Sequence, residues 1–177
     1  MMKHNIYITG FMGTGKSVVG KVLAKKTGKI FIDMDRAIKD RQGSSISDIF
    51  SKWGENHFRK LETNLLKELM QRDDLVVATG GGTLLSGENV QLVNQGGRII
   101  CLFADPMVIY RRIKESNKRP LLNKRDKLEE IKYFLEKRKA QYNQFIWQVD
   151  TSELTVEEVV DEIINILEKK DCLWKIS

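Results

Sequence analysis

The stretch NIYITGFMGTGKS, from Asn5 to Ser17, decides the fold. It opens with NIYIT, a short apolar run that predicts a β-strand. The rest, GFMGTGKS, fits the phosphate-binding pattern G-x-x-x-x-G-K-[ST], which requires a strand before it and a helix after it. A helical pattern follows from Lys16, so we expect a strand, a glycine-rich loop and a helix in succession.

The residue types in this loop suit phosphate binding. Gly10, Gly13 and Gly15 allow the backbone to turn with its N–H groups directed at phosphate oxygens. The helix that begins near Lys16 adds the partial positive charge of its N-terminus, and Ser17 offers a hydroxyl to Mg²⁺. The pattern therefore predicts a nucleoside triphosphate site, although it does not say what happens to the phosphate. The residues assigned to nucleotide binding here are Gly13, Thr14, Gly15, Lys16, Ser17 and Val18.

Composition sets the class of protein and its partners. The 177 residues suffice for one domain, 1–177, and the content of 31% charged and 41% hydrophobic residues is that of a globular protein. The net charge of +6 comes from basic residues interspersed with acidic ones, so we expect small anionic substrates and no nucleic acid. No apolar run is long enough to span a membrane. Cys101 and Cys172 lie far apart and have no metal-binding spacing. Because nothing suggests a disulfide framework either, we expect a cytoplasmic location.

Short apolar runs alternate with longer helical patterns along the chain. This alternation predicts a parallel α/β sheet with right-handed crossovers and with helices on both faces. The predicted strands are Asn5–Thr9, Lys29–Asp33, Leu75–Ala78, Arg98–Phe103 and Trp147–Asp150. The predicted helices are Lys16–Thr27, Met34–Arg41, Ile46–Lys52, Glu55–Gln71, Glu88–Asn94, Pro106–Glu115, Leu128–Phe145 and Val156–Lys169.

One polar and basic stretch, KESNKRPLLNKRDKLEE, interrupts this alternation. Its middle, roughly Ser116–Arg125, predicts a long exposed loop. Such a loop is either a solvated connection or a lid over a binding site, because long loops in compact domains are usually functional or disordered.

Two carboxylates, Asp33 and Asp35, follow the second predicted strand. The carboxyl ends of parallel strands form the ligand-binding edge of an open sheet, so both acids should lie near the bound phosphates. Asp33 could hold Mg²⁺ through its waters, and Asp35 could orient and deprotonate an acceptor hydroxyl. Alternatively, both residues simply start the next helix, where Asp is favoured. The spacing alone supports the two interpretations equally.

Six segments together resemble those of the shikimate kinases, in order and at about the same separations: GFMGTGKS, FIDMD, GENHFRKLE, ATGGGT, KRPLL and EKRKAQY. The resemblance covers about 5–167. It implies a P-loop NTPase fold of three α/β/α layers, with a five-stranded parallel sheet in the order 2-3-1-4-5 and a mobile lid at about 112–125. It also implies ATP- and Mg²⁺-dependent phosphorylation of the 3-hydroxyl of shikimate, a step in making aromatic amino acids. We expect a monomer.

The resemblance also implies roles for individual residues. Arg59 and Arg138 match the ligands of the shikimate carboxylate, with Glu62 one helical turn after Arg59 to orient it. Arg112 matches a residue near the adenine, and Arg119 matches a lid residue that contacts both substrates. The acceptor region spans about 34–62, and the substrate-binding residues are Asp35, Arg59, Gly80, Gly81, Gly82 and Arg138. The catalytic residues are Lys16, Asp35 and Arg119, and the metal ligands are Ser17 and Asp33.

The resemblance is incomplete in one segment, and other functions remain open. Ser152, Glu153 and Leu154 stand where many relatives place a basic residue or a proline against the adenine. Phe50 and Phe58 could wall the acceptor pocket, although a place in the core explains each more simply. The alternative functions are a kinase for gluconate or a nucleoside monophosphate, and a nucleotide-dependent switch or nucleic-acid ATPase.

Overall fold

A five-stranded parallel sheet forms the centre of the molecule. The computed structural model describes residues 5–114 and 127–173, with side chains described up to residue 169. The sheet has the order β2-β3-β1-β4-β5, and all its strand pairs are parallel, as the sequence predicted. The strands are β1 (Asn5–Gly10), β2 (Ile30–Asp33), β3 (Leu75–Ala78), β4 (Gly97–Phe103) and β5 (Trp147–Asp150).

Seven helices accompany the sheet within the described ranges, and their positions agree closely with the sequence prediction. The predicted helices Ile46–Lys52 and Glu55–Gln71 are confirmed as two helical segments of one kinked element, and Gly54 separates them with a non-helical φ of 78°. A 3₁₀ turn, Thr83–Leu85, was not predicted. The helices are α1 (Lys16–Thr27), α2 (Met34–Gln42), α3 (Ile46–Leu69), α4 (Gly87–Asn94), α5 (Pro106–Lys114), α6 (Lys127–Asn143) and α7 (Val156–Leu173). Among them, none has both the length and the apolar character that a bilayer crossing requires.

The central strands are buried on both faces, which explains their nearly continuous apolar sequences. On β1, Ile6 and Ile8 pack in one cluster with residues of α1 and α7, while Tyr7 packs in a second cluster with α2 to α6. The edge strand β2 is not covered as fully as the prediction of helices on both faces implies, since its residue Ile30 is 54% exposed. The three-layer arrangement follows from these two clusters on opposite faces of one sheet.

The carboxyl ends of β1, β2 and β3 bring the predicted site segments to one edge of the sheet. The phosphate loop leaves β1 at Gly10, whose φ is 134° and where a Cβ would lie 2.0 Å from the carbonyl oxygen of Leu102. Only glycine fits there. The predicted loop Ser116–Arg125 and most of the predicted lid lie outside the described residues, and so does Arg119.

Candidate active site

The phosphate loop is closed by its own side chains. Gly13 and Gly15 have φ values of 80° and 93°, which glycine adopts at little cost. The ammonium group of Lys16 donates hydrogen bonds of 2.9 Å to the carbonyls of Gly10 and Phe11. The buried hydroxyl of Thr14 donates to the carbonyl of Phe11 at 2.8 Å. The loop is therefore held in shape around the N-terminus of α1, where an anion is favoured.

Ser17 and Asp33 lie together beside this loop. The Ser17 hydroxyl donates a 2.5 Å hydrogen bond to the Asp33 carboxylate, which also accepts from the backbone N–H of Arg36 at 3.1 Å. Asp33 thus caps α2, as the helix-start interpretation predicted, and its other oxygen faces the phosphate loop. In the part of the chain that the structure describes, no three His, Cys, Asp or Glu residues cluster as a metal site. A hydroxyl and a carboxylate suit Mg²⁺, which takes its remaining ligands from phosphate and water.

A cleft of about 380 Å³ runs along the phosphate loop and contains both predicted carboxylates. Asp33 and Asp35 line it together with Thr79 from the end of β3. At its other end, Arg112 donates to the hydroxyl of Thr151 at 2.9 Å and to the carbonyl of the same residue. The other lining residues are the loop and helix positions Gly13, Thr14, Gly15, Lys16, Ser17, Val18 and Val19, and Thr151, Leu154, Val156 and Val159.

Ser152 and Leu154, in the segment that departs from the family pattern, have different roles in the structure. Ser152 is occupied with the fold, since its hydroxyl donates to Asp150 at 2.6 Å and accepts from the N–H of Asp105 at 2.8 Å. Leu154 lines the cleft instead. Leu154 therefore adds an apolar side chain to the wall of the cleft.

Arg59 is held between two carboxylates on α3. Its guanidinium donates to Glu55 at 2.8 Å and to Glu62 at 2.6 Å, and the Glu62 side chain is only 1% exposed. Burial raises the pKa of Glu62, and the ion pair with Arg59 and a hydrogen bond from Thr83 oppose this effect. Burial would lower the pKa of Arg59, but Glu62 and Glu55 outweigh it and raise that pKa. The predicted orienting role of Glu62 agrees with this geometry.

The triple glycine makes room for side chains of the site itself. A Cβ at Gly80 would lie 2.6 Å from Glu62 Oε1 and 2.8 Å from Asp35 Oδ1. A Cβ at Gly82 would lie 2.5 Å from Nη1 of Arg59. These distances are shorter than any ordinary carbon contact. A side chain at Gly80 or Gly82 would therefore displace Glu62, Asp35 or Arg59 from these positions, whereas close approach of a ligand to the loop remains a prediction.

Arg138 contacts the same loop at Gly81. Its guanidinium lies 5.6 Å and 5.5 Å from the ring centres of Phe11 and Phe134, and its Nη1 lies 3.5 Å from the Gly81 carbonyl oxygen. The hydroxyl of Tyr142 donates to that carbonyl at 2.9 Å, and burial raises the pKa of Tyr142 to about 12. Arg59 and Arg138, which are far apart in sequence, therefore lie against neighbouring glycines.

Sequence reasoning missed four residues that shape this site. Phe11 occupies a position that the phosphate-binding pattern leaves open, so the pattern carries no signal for it. Tyr142 could have been found, because it lies four residues after Arg138 and thus on the same face of a helix. The buried side chains of Thr83 and Asn89 contact the site through hydrogen bonds that no motif predicts.

Phe58 is buried and its ring lies 4.8 Å from that of Phe50, which agrees with a core role for Phe58.

Comparison with known proteins points to one family. The family model for shikimate kinase matches residues 12–168. The chain is 44% identical over 165 residues to the shikimate kinase of Thermodesulfovibrio yellowstonii, covering 93% of this chain and 95% of that one. It is 41% identical over 165 residues to the shikimate kinase of Pelotomaculum thermopropionicum, covering 93% and 96%.

Solved structures agree with these relatives. A shikimate kinase from Acinetobacter baumannii in complex with shikimate superposes with a TM-score of 0.90 at 31% identity, over 96% of this chain and 95% of that one. The enzyme from Aquifex aeolicus gives a TM-score of 0.82 at 38% identity, over 94% and 98%. A gluconokinase from Sinorhizobium meliloti, at 20% identity and a TM-score of 0.62 over 98% and 97%, shares the fold alone. From the family model, the identities and the superpositions together, the chain belongs to the shikimate kinase family.

Proposed function

We propose that this chain transfers the terminal phosphoryl group of ATP to the 3-hydroxyl of shikimate, a step in making aromatic amino acids. Membership of the shikimate kinase family supports the reaction and both substrates. The observation that carries the proposal is the pair Arg59 and Arg138, which contact one triple-glycine loop beside the phosphate-loop cleft.

The two arginines are our candidates for reading the acceptor. Each guanidinium presents a planar set of N–H donors that matches a carboxylate, so two of them can fix a small acid in one orientation. Glu55 and Glu62 restrain Arg59, and the rings of Phe11 and Phe134 restrain Arg138. Neither arginine needs to be ordered at the moment of binding, which reduces the entropic cost of association. Gly80, Gly81 and Gly82 form the backbone surface between them.

We assign Asp35 as the base. In the transfer, the acceptor oxygen forms a bond to the γ-phosphorus and loses its proton, while the bond from that phosphorus to the ADP oxygen breaks. Asp35 lies in the cleft with the phosphate loop, and its Oδ1 lies near Gly80, so it is positioned to take the proton. Lys16 and Arg119 are assigned to balance charge on the transferring phosphoryl group. The assignment of Arg119 rests on the resemblance alone, because this residue lies outside the described residues.

We assign Ser17 and Asp33 to Mg²⁺, since their oxygens lie together at the phosphate loop. The bound ion would neutralise charge on the phosphates of ATP. Arg112 and Leu154 are assigned to the adenine end of the cleft, with Gly13, Thr14, Gly15 and Val18 along the phosphates. Removal of divalent ions with EDTA should abolish transfer, and added Mg²⁺ should restore it.

We further propose that the catalytic unit is a monomer in the cytoplasm. Every residue assigned a role belongs to one chain, so no second copy is needed to complete the site. Cys101 is a buried free thiol, as a reducing compartment maintains. A sedimentation measurement of the active enzyme tests the first statement, and fractionation of the source cells tests the second.

A phosphoryl-transfer assay with a panel of acceptors tests the proposed function. The panel contains shikimate, gluconate, a nucleoside monophosphate and buffer alone, with ADP release and phosphorylated product both measured. We expect rapid product formation from shikimate and only slow ADP release without an acceptor. Faster transfer to gluconate, or ADP release that ignores the acceptor, would contradict the proposal.

A further inference from the structure

A chain of buried polar groups leads from α4 to the guanidinium of Arg59. The side-chain amide of Asn89 accepts from the hydroxyl of Thr63 at 3.0 Å and donates to the carbonyl of Thr83 at 2.8 Å. The hydroxyl of Thr83 donates to one oxygen of Glu62, and the other oxygen of Glu62 accepts from Arg59 at 2.6 Å. Asn89 and Thr83 are 2% and 0% exposed.

This series of hydrogen bonds runs from Asn89 through Thr83 and Glu62 to Arg59, and its order follows from the chemistry of the groups. A buried carboxylate needs hydrogen-bond donors for its oxygens. The Thr83 hydroxyl is such a donor, and it is not one of the groups assigned to binding the substrate. That bond fixes the plane of the Glu62 carboxylate, because its second oxygen is then directed at Arg59. Asn89 in turn holds the backbone of Thr83 at the start of the 3₁₀ turn. Each hydrogen bond therefore restrains the group that makes the next one, and the last of these groups is Arg59 on the acceptor side of the cleft.

The surroundings of Glu62 make this constraint necessary. A Cβ at Gly80 would lie close to Glu62 Oε1, Asp35 Oδ1 and Thr83 Oγ1 at once, so these three polar atoms surround one glycine. Asp35 repels Glu62 and raises its pKa, whereas Thr83 and Arg59 lower it. Without the Thr83 hydroxyl, one oxygen of Glu62 would compete for other donors, and Arg59 would lose its fixed partner.

We propose that Thr83 and Asn89 are positioning residues for the acceptor: they hold Glu62, and through Glu62 they set the guanidinium of Arg59 that reads the carboxylate of the substrate. This inference rests on the proposed function. It predicts a specific kinetic signature, because a contact made equally in the ground state and the transition state changes KM and leaves kcat in place. A purely structural role would act otherwise, since a folding defect lowers the active fraction and so the apparent kcat.

The test measures shikimate KM, ATP KM and kcat in the wild type and four variants. Thr83→Val removes the hydroxyl at nearly constant shape, and Thr83→Ser keeps it. Asn89→Ala removes the next link, and Thr27→Val is the control, because Thr27 bonds only within α1 among the hydrogen bonds described. We expect shikimate KM to rise about tenfold in Thr83→Val, the size of one lost hydrogen bond to a charged group. ATP KM and kcat should stay within about twofold.

The remaining variants decide between positioning and structure. Thr83→Ser should restore the wild-type shikimate KM, and Asn89→Ala should raise it about threefold even if Thr83→Val fails to fold. An unchanged shikimate KM with a lower kcat, or equal rises in both KM values, overturns the inference. The wild type serves as the separate check on the proposed function: if it phosphorylates shikimate while Thr83→Val and Asn89→Ala leave KM unchanged, only the inference fails.

Discussion

Replacement of Gly82 by alanine should displace Arg59 without disturbing the fold. A Cβ there would lie 2.5 Å, 2.7 Å and 2.8 Å from Nη1, Nη2 and Cζ of Arg59. Ordinary contact requires roughly 3.5 Å, so the guanidinium must retreat by about 1 Å. Gly82 has a φ of −114°, which any residue adopts, so the backbone carries no strain from the new side chain.

The retreat has a predictable cost in acceptor binding. It breaks the 2.6 Å contact of Arg59 with Glu62 and moves the donors away from the substrate carboxylate. A misplacement of about 1 Å in a positioning group can cost on the order of 100-fold in rate. We therefore expect shikimate kcat/KM to fall by roughly 10- to 100-fold in Gly82→Ala.

Steady-state kinetics with shikimate and an ATP-binding titration without it measure this effect. Gly87→Ala is the matched control, because a Cβ at Gly87 meets no described atom within 4 Å. ATP affinity should stay near that of the wild type in both variants, whereas the melting temperature should stay unchanged in Gly87→Ala and fall in Gly82→Ala, because the buried Glu62 loses its ion pair. Wild-type shikimate kinetics in Gly82→Ala, or a parallel loss of ATP affinity, would refute the placement of Arg59 at the acceptor.

Three further predictions concern the acids and the lid arginine. Asp35→Asn should lower kcat by roughly 10²–10⁴-fold with little change in the ATP dissociation constant, and near-normal turnover would leave Asp35 only as an acidic residue in the first turn of α2. Arg119→Lys keeps the charge but not the planar donor set, so kcat should fall more than substrate binding weakens; equal losses would make Arg119 a binding residue only. Burial raises the pKa of Glu62 in the folded state, so the folded chain holds the proton more tightly and its stability falls as pH rises from about 4.5 through that raised pKa. Denaturant titrations across this range should show that fall in the wild type and not in Glu62→Gln, and identical pH profiles would contradict the burial of a titrating Glu62.

Most of the fold could be predicted because its signals are local. A phosphate-binding pattern between an apolar run and a helical pattern determines the first strand, loop and helix. Alternating strands and helices then predict a parallel sheet, and the carboxyl ends of its strands predict the edge that carries Asp33 and Asp35. The break at Gly54 could also be predicted, because glycine between two helical patterns usually marks an end, and its backbone is non-helical there.

The contacts of the site could not be predicted from the same signals. The stacking of Arg138 against Phe11 joins residues that are far apart in the sequence, and no periodicity links them. The role of Gly80 and Gly82 also depends on tertiary structure, since the atoms they accommodate belong to α2 and α3. The resemblance marked this loop as part of the site, and only the packing shows which side chains lie against its glycines.

The most direct test of the central claim compares shikimate with its carboxamide analogue in the wild type, Arg59→Ala and Arg138→Ala. The measured quantity is kcat/KM for phosphoryl transfer, with the ATP dissociation constant determined separately. If both arginines read the carboxylate, the amide and each substitution should separately cost on the order of 2–5 kcal/mol, as truncation of a buried charge pair does. The substitutions should then add little further loss with the amide. Equal phosphorylation of the amide and shikimate, or substitutions that mainly weaken ATP binding, would contradict an acceptor recognised through its carboxylate.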